Sequence, residues 1–273
     1  MASRSVNYVR SFGLVAGMRL LTEIERPQQS SPAVVRGHAV PGYPEPVMLR
    51  QTVSDHSIFW QCIVQHQYDI KGFPHSRRLM ADYGRVVASG KRPLIIDCGG
   101  NIGLSALYFG LQFPEAQIVV VEPDADNFAL LKRNTAVLGQ RVLPLLGGVW
   151  HESGHLRIVN PQAGAASLQV ETVRDAAPGT IKAHTIAEIC ALAGAHAPLI
   201  VKIDIEGSQA KLFSANTEWV ANTGLVVIEL EDWLLPWQGT SRNFFSCMSK
   251  HAFEYLMLGE NMFCFHDFEA RAA

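Results

Sequence analysis

The chain has few of the patterns that assign a sequence at once to a common class of protein. Its five cysteines form no C-x-x-C pair, and its ten histidines form no H-E-x-x-H or similar spacing, so we expect no metal site. Scattered cysteines are typical of reduced, buried thiols, which indicates a cytoplasmic protein. No apolar run reaches the ~20 residues of a membrane-spanning helix, and the N-terminus lacks the features of a signal peptide. We therefore expect neither a transmembrane segment nor secretion.

The charge balance also lacks the excess of basic residues that a nucleic-acid-binding surface requires. Lysine and arginine together number 23, aspartate and glutamate number 25, and the formal net charge is −2. We therefore expect no nucleic-acid partner. Hydrophobic residues make up 48% of the 273 residues, which is enough for the core of one large α/β domain with an extension.

The first 46 residues carry a different pattern from the remainder. An amphipathic helix is predicted at the N-terminus, because apolar residues recur there at helical spacing between arginines. Residues 27–46 contain five prolines together with serines and glycines, so we predict a linker without helix. We assign 1–46 as an N-terminal helix and a proline-rich linker.

The next segment, 47–92, is predicted to be a helical cap packed on the domain that follows. Residues 47–49 favour a short strand, and apolar side chains at helical spacing predict a helix over about 55–66. Ser54 and Asp55 are residue types that commonly cap the start of a helix.

From residue 93 to 268 the pattern is that of an α/β domain. Continuous apolar strands separated by helices predict parallel β-α-β units whose sheet is covered on both faces. The alternation of strands and helices is interrupted after Gly147, where a hairpin turning at 152–154 and two further strands are predicted. A final antiparallel pair closes the domain. The predicted strands of the α/β units cover 94–97, 117–122, 141–146, 199–204 and 224–230, and the predicted helices cover 103–113, 124–139, 208–215 and 241–250.

The stretch D-C-G-G-N-I-G, residues 97–103, follows the first of these strands and opens the next helix. It differs from the G-x-G-x-x-G fingerprint of dinucleotide-binding proteins, because two glycines are adjacent and an acid precedes them. An aspartate at position 97 would repel a pyrophosphate but suits a cationic ligand. S-adenosylmethionine carries a sulfonium and an ammonium group and no phosphate, so the turn favours a methyl donor.

Acids also end two other strands of the predicted sheet. Glu122 ends the second strand, where an acid can accept the ribose hydroxyls of an adenosine. Asp204 ends the fourth strand, and the carboxyl ends of parallel strands meet at one edge of a sheet. Lys202 shares a strand face with Asp204 and is expected to form an internal ion pair with an acid such as Glu229. Two alternatives stay open here: an NAD-dependent oxidoreductase with an atypical fingerprint, and acids that only cap loops.

Three of these segments together resemble the FkbM family of S-adenosylmethionine-dependent methyltransferases: "IIDCGGNIGLSALYF", "VVVEPDADNFALLKRN" and "IVKIDIEGSQ". The resemblance covers roughly residues 47–265. It implies a class I methyltransferase fold, which is α/β and Rossmann-like, with a seven-stranded, mostly parallel sheet that contains one antiparallel strand. Here an N-terminal helical extension would precede it. The resemblance also implies methyl transfer, usually to a hydroxyl oxygen.

The resemblance further implies roles for individual residues. The methionine part of the cofactor S-adenosylmethionine would be held by Asp97, Gly99, Asn101 and Gly103. Its ribose would be held by Glu122. Its adenine would lie near Gly148, Val149 and Trp150. The reacting methyl group would be faced by Asp204, Glu206 and Gly207. Asp204 would also contact the donor.

The chain departs from the family pattern in three places. Gly100 replaces an alanine, an exchange that we expect to be harmless. Ser208 and Gln209 replace an Ala-Glu pair, which removes one acid next to the site. No acid follows the third strand, so the amino group of the adenine would have to be bound by backbone or by another part of the chain.

Methyl transfer to an alcohol requires a group that accepts the hydroxyl proton. Asp204 is the first candidate because of its position, and Glu206 is the second. His184 and His56 are alternatives with a suitable intrinsic pKa. A Mg²⁺ site formed by Asp204, Glu206 and Glu229 is an alternative that no spacing supports.

Two kinds of acceptor fit this chemistry: a sugar hydroxyl on a glycolipid or oligosaccharide, and a hydroxyl on a secondary metabolite. Trp233 and Trp237 follow the fifth strand and are candidates for stacking on a ring of the acceptor. In the cap, Ser54, Asp55 and Tyr68 are candidates for contacts with the donor. The alternatives to a methyltransferase are the NAD-dependent oxidoreductase and a catalytically inactive module that only binds S-adenosylmethionine.

Overall fold

A computed structural model of the chain describes residues 2–25, 34–159, 170–195, 197–205, 207–233 and 236–268. The strands are β1 (Val35–His38), β2 (Val47–Arg50), β3 (Leu94–Cys98), β4 (Gln117–Glu122), β5 (Val142–Val149), β6 (Gly154–Ile158), β7 (Val170–Val173), β8 (Thr180–His184), β9 (Ile200–Ile203), β10 (Leu225–Glu229), β11 (Phe253–Leu258) and β12 (Asn261–His266). The helices are α1 (Ala2–Phe12), α2 (Leu14–Ile24), α3 (Val53–Phe59), α4 (His75–Ala88), α5 (Leu104–Gln112), α6 (Ala125–Thr135), α7 (Ile186–Leu192), α8 (Gln209–Leu212) and α9 (Arg242–Met248). A π-helical turn, Trp60–Val64, extends α3, and short 3-10 helices cover Ala136–Arg141 and Glu218–Asn222.

Ten of the described strands form one sheet in the order β11-β12-β10-β9-β3-β4-β5-β8-β6-β7. The seven strands from β11 to β5 form the expected sheet, because all neighbouring pairs are parallel except those of β12, which is antiparallel to β10 and to β11. The class I methyltransferase fold is thus confirmed. Beyond β5, the described residues add three strands that the sequence analysis does not place in this sheet: β8, β6 and β7.

The hairpin predicted at 152–154 is wrong in its pairing, although β6 does begin there. β8, not β6, lies beside the end of β5, and β6 pairs on the far side of β8. Two glycines in β5 make room for this arrangement. A Cβ at Gly147 would lie 2.5 Å from the carbonyl oxygen of Lys182, and one at Gly148 would lie 2.6 Å from Cδ1 of Leu156. An alternating pattern predicts strands but does not say which strand lies next to which.

The N-terminal segment folds as two helices rather than one. Gly13 separates α1 from α2 with a φ of 77°, a left-handed value that interrupts the helix. The two helices pack closely, because a Cβ at Gly17 would lie 2.5 Å from the carbonyl oxygen of Tyr8. The proline-rich segment contains a strand that the sequence analysis misses, since β1 pairs antiparallel with β2. Residues 26–33 lie outside the described ranges.

The cap segment begins with β2, as predicted for 47–49, and continues into α3. This helix starts at Val53 because Thr52, and not Ser54 or Asp55, is its N-cap. The hydroxyl of Thr52 accepts the backbone N–H of Asp55 at 3.2 Å. The second half of the predicted helix is the π-helical turn rather than a regular α-helix.

The sheet is covered on both faces, as its continuous apolar strands predict. One core joins the sheet to α5, α6, the cap and the N-terminal helices, and includes Tyr8, Phe59 and Tyr68. The other core joins the opposite face to α7 and α9, with Phe244 fully buried. Burial of a side chain such as Phe59 contributes roughly 1.5–3 kcal/mol. Hydrophobic packing therefore holds the cap and the N-terminal helices to the domain.

The cysteines agree with the expectation of buried thiols from the sequence. All five cysteines are free and buried. In the case of Cys62, burial raises the pKa of the thiol to about 12. Among the helices in the described ranges, none combines the length and the apolar character needed to cross a membrane.

Candidate active site

A cleft of about 330 Å³ opens at the carboxyl ends of the central parallel strands. The turn after β3 and the ends of β4, β5 and β9 contribute to it, and α3 with the π-helical turn adds a wall from the cap. Ligands of doubly covered parallel sheets bind at this edge. Six of the predicted site residues line the cleft: Gly99, Asn101, Glu122, Gly148, Val149 and Asp204.

Several described residues that were predicted for the donor site or as the base do not line the cleft. Asp97, Trp150 and His184 are buried beneath or beside it. Gly103 lies at the start of α5 with a φ of 86°, where a Cβ would approach Cα of Leu131 to 3.1 Å. Glu206 lies outside the described residues, so its predicted role stays a prediction.

Gly99 occupies a position that a residue with a side chain could take only by displacing backbone. Its φ is 80°, and a Cβ there would lie 1.9 Å from the carbonyl oxygen of Asp204. The turn after β3 and the loop after β9 therefore touch through their main chains, which glycine permits. Two segments that are about a hundred residues apart in sequence form one continuous wall of the cleft.

The backbone donors of the glycine turn are all used inside the protein. The N–H groups of Gly99 and Gly100 bond to the carbonyl oxygen of Val121, and that of Gly103 bonds to Gly100. The N–H of Asn101 donates to Oε2 of Glu122 at 2.8 Å, and that of Ile102 to Oδ1 of Asn101 at 2.8 Å. A dinucleotide-binding turn directs such groups at a pyrophosphate. The geometry of this turn therefore speaks against the NAD-dependent alternative.

Glu122 is the acid of the site whose surroundings are best defined. Its side chain is buried and reaches the cleft from the end of β4. Oε1 accepts the N–H of Asp124 at 3.0 Å and Nδ2 of Asn127 at 3.3 Å, in addition to the bond from Asn101 to Oε2. Burial raises the pKa of Glu122 to about 7, against the opposing effect of these hydrogen bonds.

Lys202 forms its ion pair with other acids than the sequence analysis expects. Its Nζ lies 3.1 Å from Oδ1 of Asp97 and 3.3 Å from Oδ2 of Asp204, and it donates to the carbonyl oxygen of Gly99 at 2.7 Å. Asp97 and Lys202 are register partners on neighbouring strands, which puts their side chains side by side. Glu229 stands two residues beyond the register partner of Lys202 on β10, so the expected pairing with it is wrong.

The carboxylate of Asp97 faces the interior and not the cleft. It is fully buried and accepts a hydrogen bond from Oγ of Ser105 at 2.5 Å. Burial raises the pKa of Asp97, although Lys202 and Ser105 act in the opposite direction. Burial, the largest single effect, acts against the charge of Lys202, but Asp97, Tyr68, Asp204 and Cys62 together outweigh it, so the pKa of Lys202 lies well above its ordinary value. This internal pair joins β3 to β9 at the edge where the cleft begins.

Among the described candidates for the catalytic base, only Asp204 reaches the cleft. A third of its side-chain surface is exposed, at 33%. His184 and His56 are buried away from the lining, and burial lowers the pKa of each imidazole. The loop after Asp204 is held by a residue that the sequence analysis misses, because Oε1 of Glu231 accepts the N–H of Gly207 at 2.6 Å.

The mouth of the cleft contains both predicted and unexpected residues. Trp233 lines it with 71% of its surface exposed, whereas Trp237 is exposed but lies outside the lining. From the cap, Ser54 lines the cleft, while Asp55 binds Arg50 and Tyr68 packs on Phe109. Gln61 and Glu260 also line the mouth, and their side chains meet at 3.4 Å across 199 positions of sequence.

The described lining is acidic. It contains four carboxylates and no lysine, arginine or histidine: Glu122, Asp204, Glu229 and Glu260. Within the ranges that the structure describes, no three histidine, cysteine or acidic side chains come close enough to hold a metal ion. The Mg²⁺ alternative includes Glu206, which lies outside those ranges. An acidic cleft suits a ligand with a sulfonium and an ammonium group.

A comparison with protein families matches residues 97–255 to the methyltransferase FkbM domain. The chain belongs to the FkbM methyltransferase family. The match covers more than half of the chain and includes the turn after β3, Glu122, Asp204 and the loop after β10. The predicted family is therefore confirmed, and membership indicates S-adenosylmethionine as the cofactor.

Two curated relatives are similar to parts of this FkbM chain. The methyltransferase sdnD of Sordaria araneosa is 31% identical over 80 residues, which are 29% of the chain and 25% of that protein. The hexuronic acid methyltransferase AglP of Haloferax volcanii is 27% identical over 135 residues, which are 49% of the chain and 54% of that protein. The chain thus spans about half or less of the length of these relatives. A solved methyltransferase with bound S-adenosylhomocysteine, PaMTH1 of Podospora anserina, superimposes with a TM-score of 0.38 at 14% identity, over 71% of this chain and 78% of that one.

Proposed function

We propose that the protein is an S-adenosylmethionine-dependent methyltransferase that methylates a hydroxyl oxygen of a sugar or of a small secondary metabolite. The observation that carries the proposal is the meeting of the glycine turn, Glu122 and Asp204 in one acidic cleft of a class I fold. The 27% identity to the hexuronic acid methyltransferase AglP supports a sugar as one class of acceptor.

The order of the strands supports the following arrangement of the donor in the cleft. The methionine part would lie beside Gly99 and Asn101, after β3, and the ribose beside Glu122, after β4. The adenine would lie beside Gly148 and Val149 in β5, and none of the residues of β5 itself is acidic. Asp97 would act on the ammonium group only through Lys202 and the backbone of the turn, because its carboxylate faces inward.

Methyl transfer is an in-line displacement in which the sulfonium leaves as a neutral thioether, so alignment contributes most of the catalysis. The acceptor oxygen forms a bond to the methyl carbon, and its proton passes to a base. Asp204 is our first candidate for this role, and two observations support it: its carboxylate reaches the cleft, and Nζ of Lys202 lies 3.3 Å from its Oδ2. Glu206 remains the second candidate.

The acidic lining supports an acceptor without a negative charge. With four carboxylates and no basic side chain in the described lining, an acceptor that carries an anion beside its reacting hydroxyl would be repelled. We therefore expect glucose or glucosamine to be a better acceptor than glucuronate. The cytoplasmic location and the absence of a nucleic-acid partner stay predictions.

Calorimetric titration with S-adenosylhomocysteine, and with NAD as the control, tests the donor class. We expect the first to bind and the second not to bind; the reverse result would refute the proposal. Methyl uptake from labelled S-adenosylmethionine onto hydroxylated sugars and metabolites then tests the acceptor. Asp204→Asn should lower turnover about 10²- to 10⁴-fold and leave the affinity for S-adenosylhomocysteine nearly unchanged. Donor binding without transfer to any acceptor would favour the inactive module.

A further inference from the structure

A chain of polar side chains connects the cap to Glu122. Arg50 binds Asp55 with Nη2 at 2.7 Å from Oδ1 and Nε at 3.1 Å from Oδ2. The same Nη2 donates to Oδ1 of Asn127 at 2.5 Å, and Nδ2 of Asn127 donates to Oε1 of Glu122 at 3.3 Å. We call these four residues the polar chain. Its first two members precede the residues that the FkbM domain matches, 97–255.

Asn127 has one available orientation between its two neighbours. A guanidinium group only donates hydrogen bonds, and an ionised carboxylate only accepts them. The amide oxygen of Asn127 must therefore face Arg50, and its NH₂ group must face Glu122. Arg50 is fixed in turn, because Asp55 also accepts the backbone N–H of Arg50 at 2.7 Å.

Burial makes the polar chain rigid. Asp55 and Asn127 have no exposed surface, and only Glu122 of the four lines the cleft. A carboxylate offers about four acceptor positions, and three of those of Glu122 are taken by Asn101, Asp124 and Asn127. The direction of the remaining acceptor position is therefore set by bonds within the protein before any ligand binds.

We propose that Asn127, held by Arg50 and Asp55, is a positioning residue that directs the carboxylate of Glu122 toward the ribose hydroxyls of the methyl donor. The inference rests on the proposed function, because it requires an adenosyl donor in the cleft. The cap would thus take part in donor recognition through Arg50 and Asp55, which act on Glu122 from inside the protein and do not line the cleft.

The test measures the affinities of three ligands by calorimetry: S-adenosylhomocysteine and its 2′-deoxy and 3′-deoxy analogues. The variants are Asn127→Ala and Asn127→Asp, and the second keeps an acceptor for Arg50 while it removes the NH₂ donor. We expect the wild type to bind at least one deoxy analogue about tenfold more weakly than S-adenosylhomocysteine. In both variants this ratio should approach one, because the affinity for S-adenosylhomocysteine falls and that for the deoxy analogue changes little.

Asn134→Ala is the matched control. Asn134 lies on the same helix and also holds β2, because it accepts the N–H of Met48 at 2.7 Å and donates to the carbonyl oxygen of Met48 at 3.1 Å, but its third bond goes to the carbonyl oxygen of Ile102. We expect this variant to change the three affinities by one common factor. If the Asn127 variants did the same, or if the wild type bound all three ligands equally, the inference would be overturned. Failure of the wild type to bind S-adenosylhomocysteine would instead overturn the proposed function and, with it, the inference.

Discussion

Gly100 and Val120 fill one space behind the glycine turn, because a Cβ at Gly100 would lie 2.1 Å from Cγ2 of Val120. The family pattern has an alanine at this position. In this chain the valine on β4 occupies the volume of the missing methyl group, so the exchange to glycine leaves no cavity. The two residues therefore form a matched pair across the first β-α-β unit.

This pairing predicts that Gly100→Ala, a change toward the family pattern, destabilises the protein. Overpacking against a stiff β-branched side chain should lower the free energy of unfolding by about 1–3 kcal/mol. Val120→Ala alone should cost about 2 kcal/mol through a cavity. The double variant should lose less than the sum of the two, by about 1 kcal/mol or more. Urea unfolding of the four proteins measures the difference, and strictly additive costs would contradict the pairing.

Gly99→Ala should destabilise the protein more than the positive φ at this position alone would cause. The Cβ would collide with the carbonyl oxygen of Asp204, so we expect a loss of more than about 3 kcal/mol and no binding of S-adenosylhomocysteine. Gly90→Ala is the matched control, because Gly90 has a similar φ of 76° and nothing within 4 Å of its Cβ position. That control should cost about 1–2 kcal/mol and leave binding intact. Equal losses in both variants would show that the contact with Asp204 is unimportant.

Glu122 should make the stability of the ligand-free protein depend on pH. Burial raises the pKa of Glu122 to about 7, above the ordinary value of about 4.3 in an unfolded chain. The stability that this group contributes is therefore complete below pH ~4.3 and is lost as the pH rises through 7, by roughly 3–4 kcal/mol. We expect the difference between the free energies of unfolding near pH 5 and pH 8 to shrink in Glu122→Gln. An unchanged difference would mean that other groups cause the dependence.

The buried pair of Lys202 and Asp97 predicts that replacing Lys202 alone lowers the stability strongly, and that replacing both residues restores part of it. Lys202→Met leaves the carboxylate of Asp97 buried without its cation, which should cost about 3–5 kcal/mol. Adding Asp97→Asn removes the charge and should restore a good part of the loss, as measured by urea unfolding. A double variant that is less stable than Lys202→Met would contradict the pairing.

The parts of the site that could be predicted from sequence are those that depend on local pattern. The strand from 94 and the strand ending at Glu122 are recognisable from continuous apolar runs, and the bounds of β4 agree with the prediction. Because parallel strands end at one edge, the meeting of Glu122 and Asp204 in the cleft also follows from sequence. In the glycine turn, the close approach of the Asp204 backbone explains why glycine is needed at position 99, a reason that the sequence analysis does not give.

The parts that could not be predicted depend on contacts between distant segments. Nothing in the alternation of 154–158 indicates that β8 lies between this strand and β5. The direction of the carboxylate of Asp97 depends on its register partner Lys202, and that register is a property of the assembled sheet. The contact of Gln61 with Glu260 joins residues that no local periodicity connects. The sequence therefore identified candidate functional residues more readily than the directions of their side chains.

The closed hydrogen bonding of the glycine turn has a consequence for the rate at which a ligand binds. A loop whose N–H groups are already satisfied has no need to reorganise when the donor enters, so its ordering belongs to folding and not to recognition. The amides of 99–103 should exchange slowly with deuterated water in the free protein and change little on binding. The observed association rate should then rise linearly with ligand concentration, without the plateau that a slow isomerisation would impose.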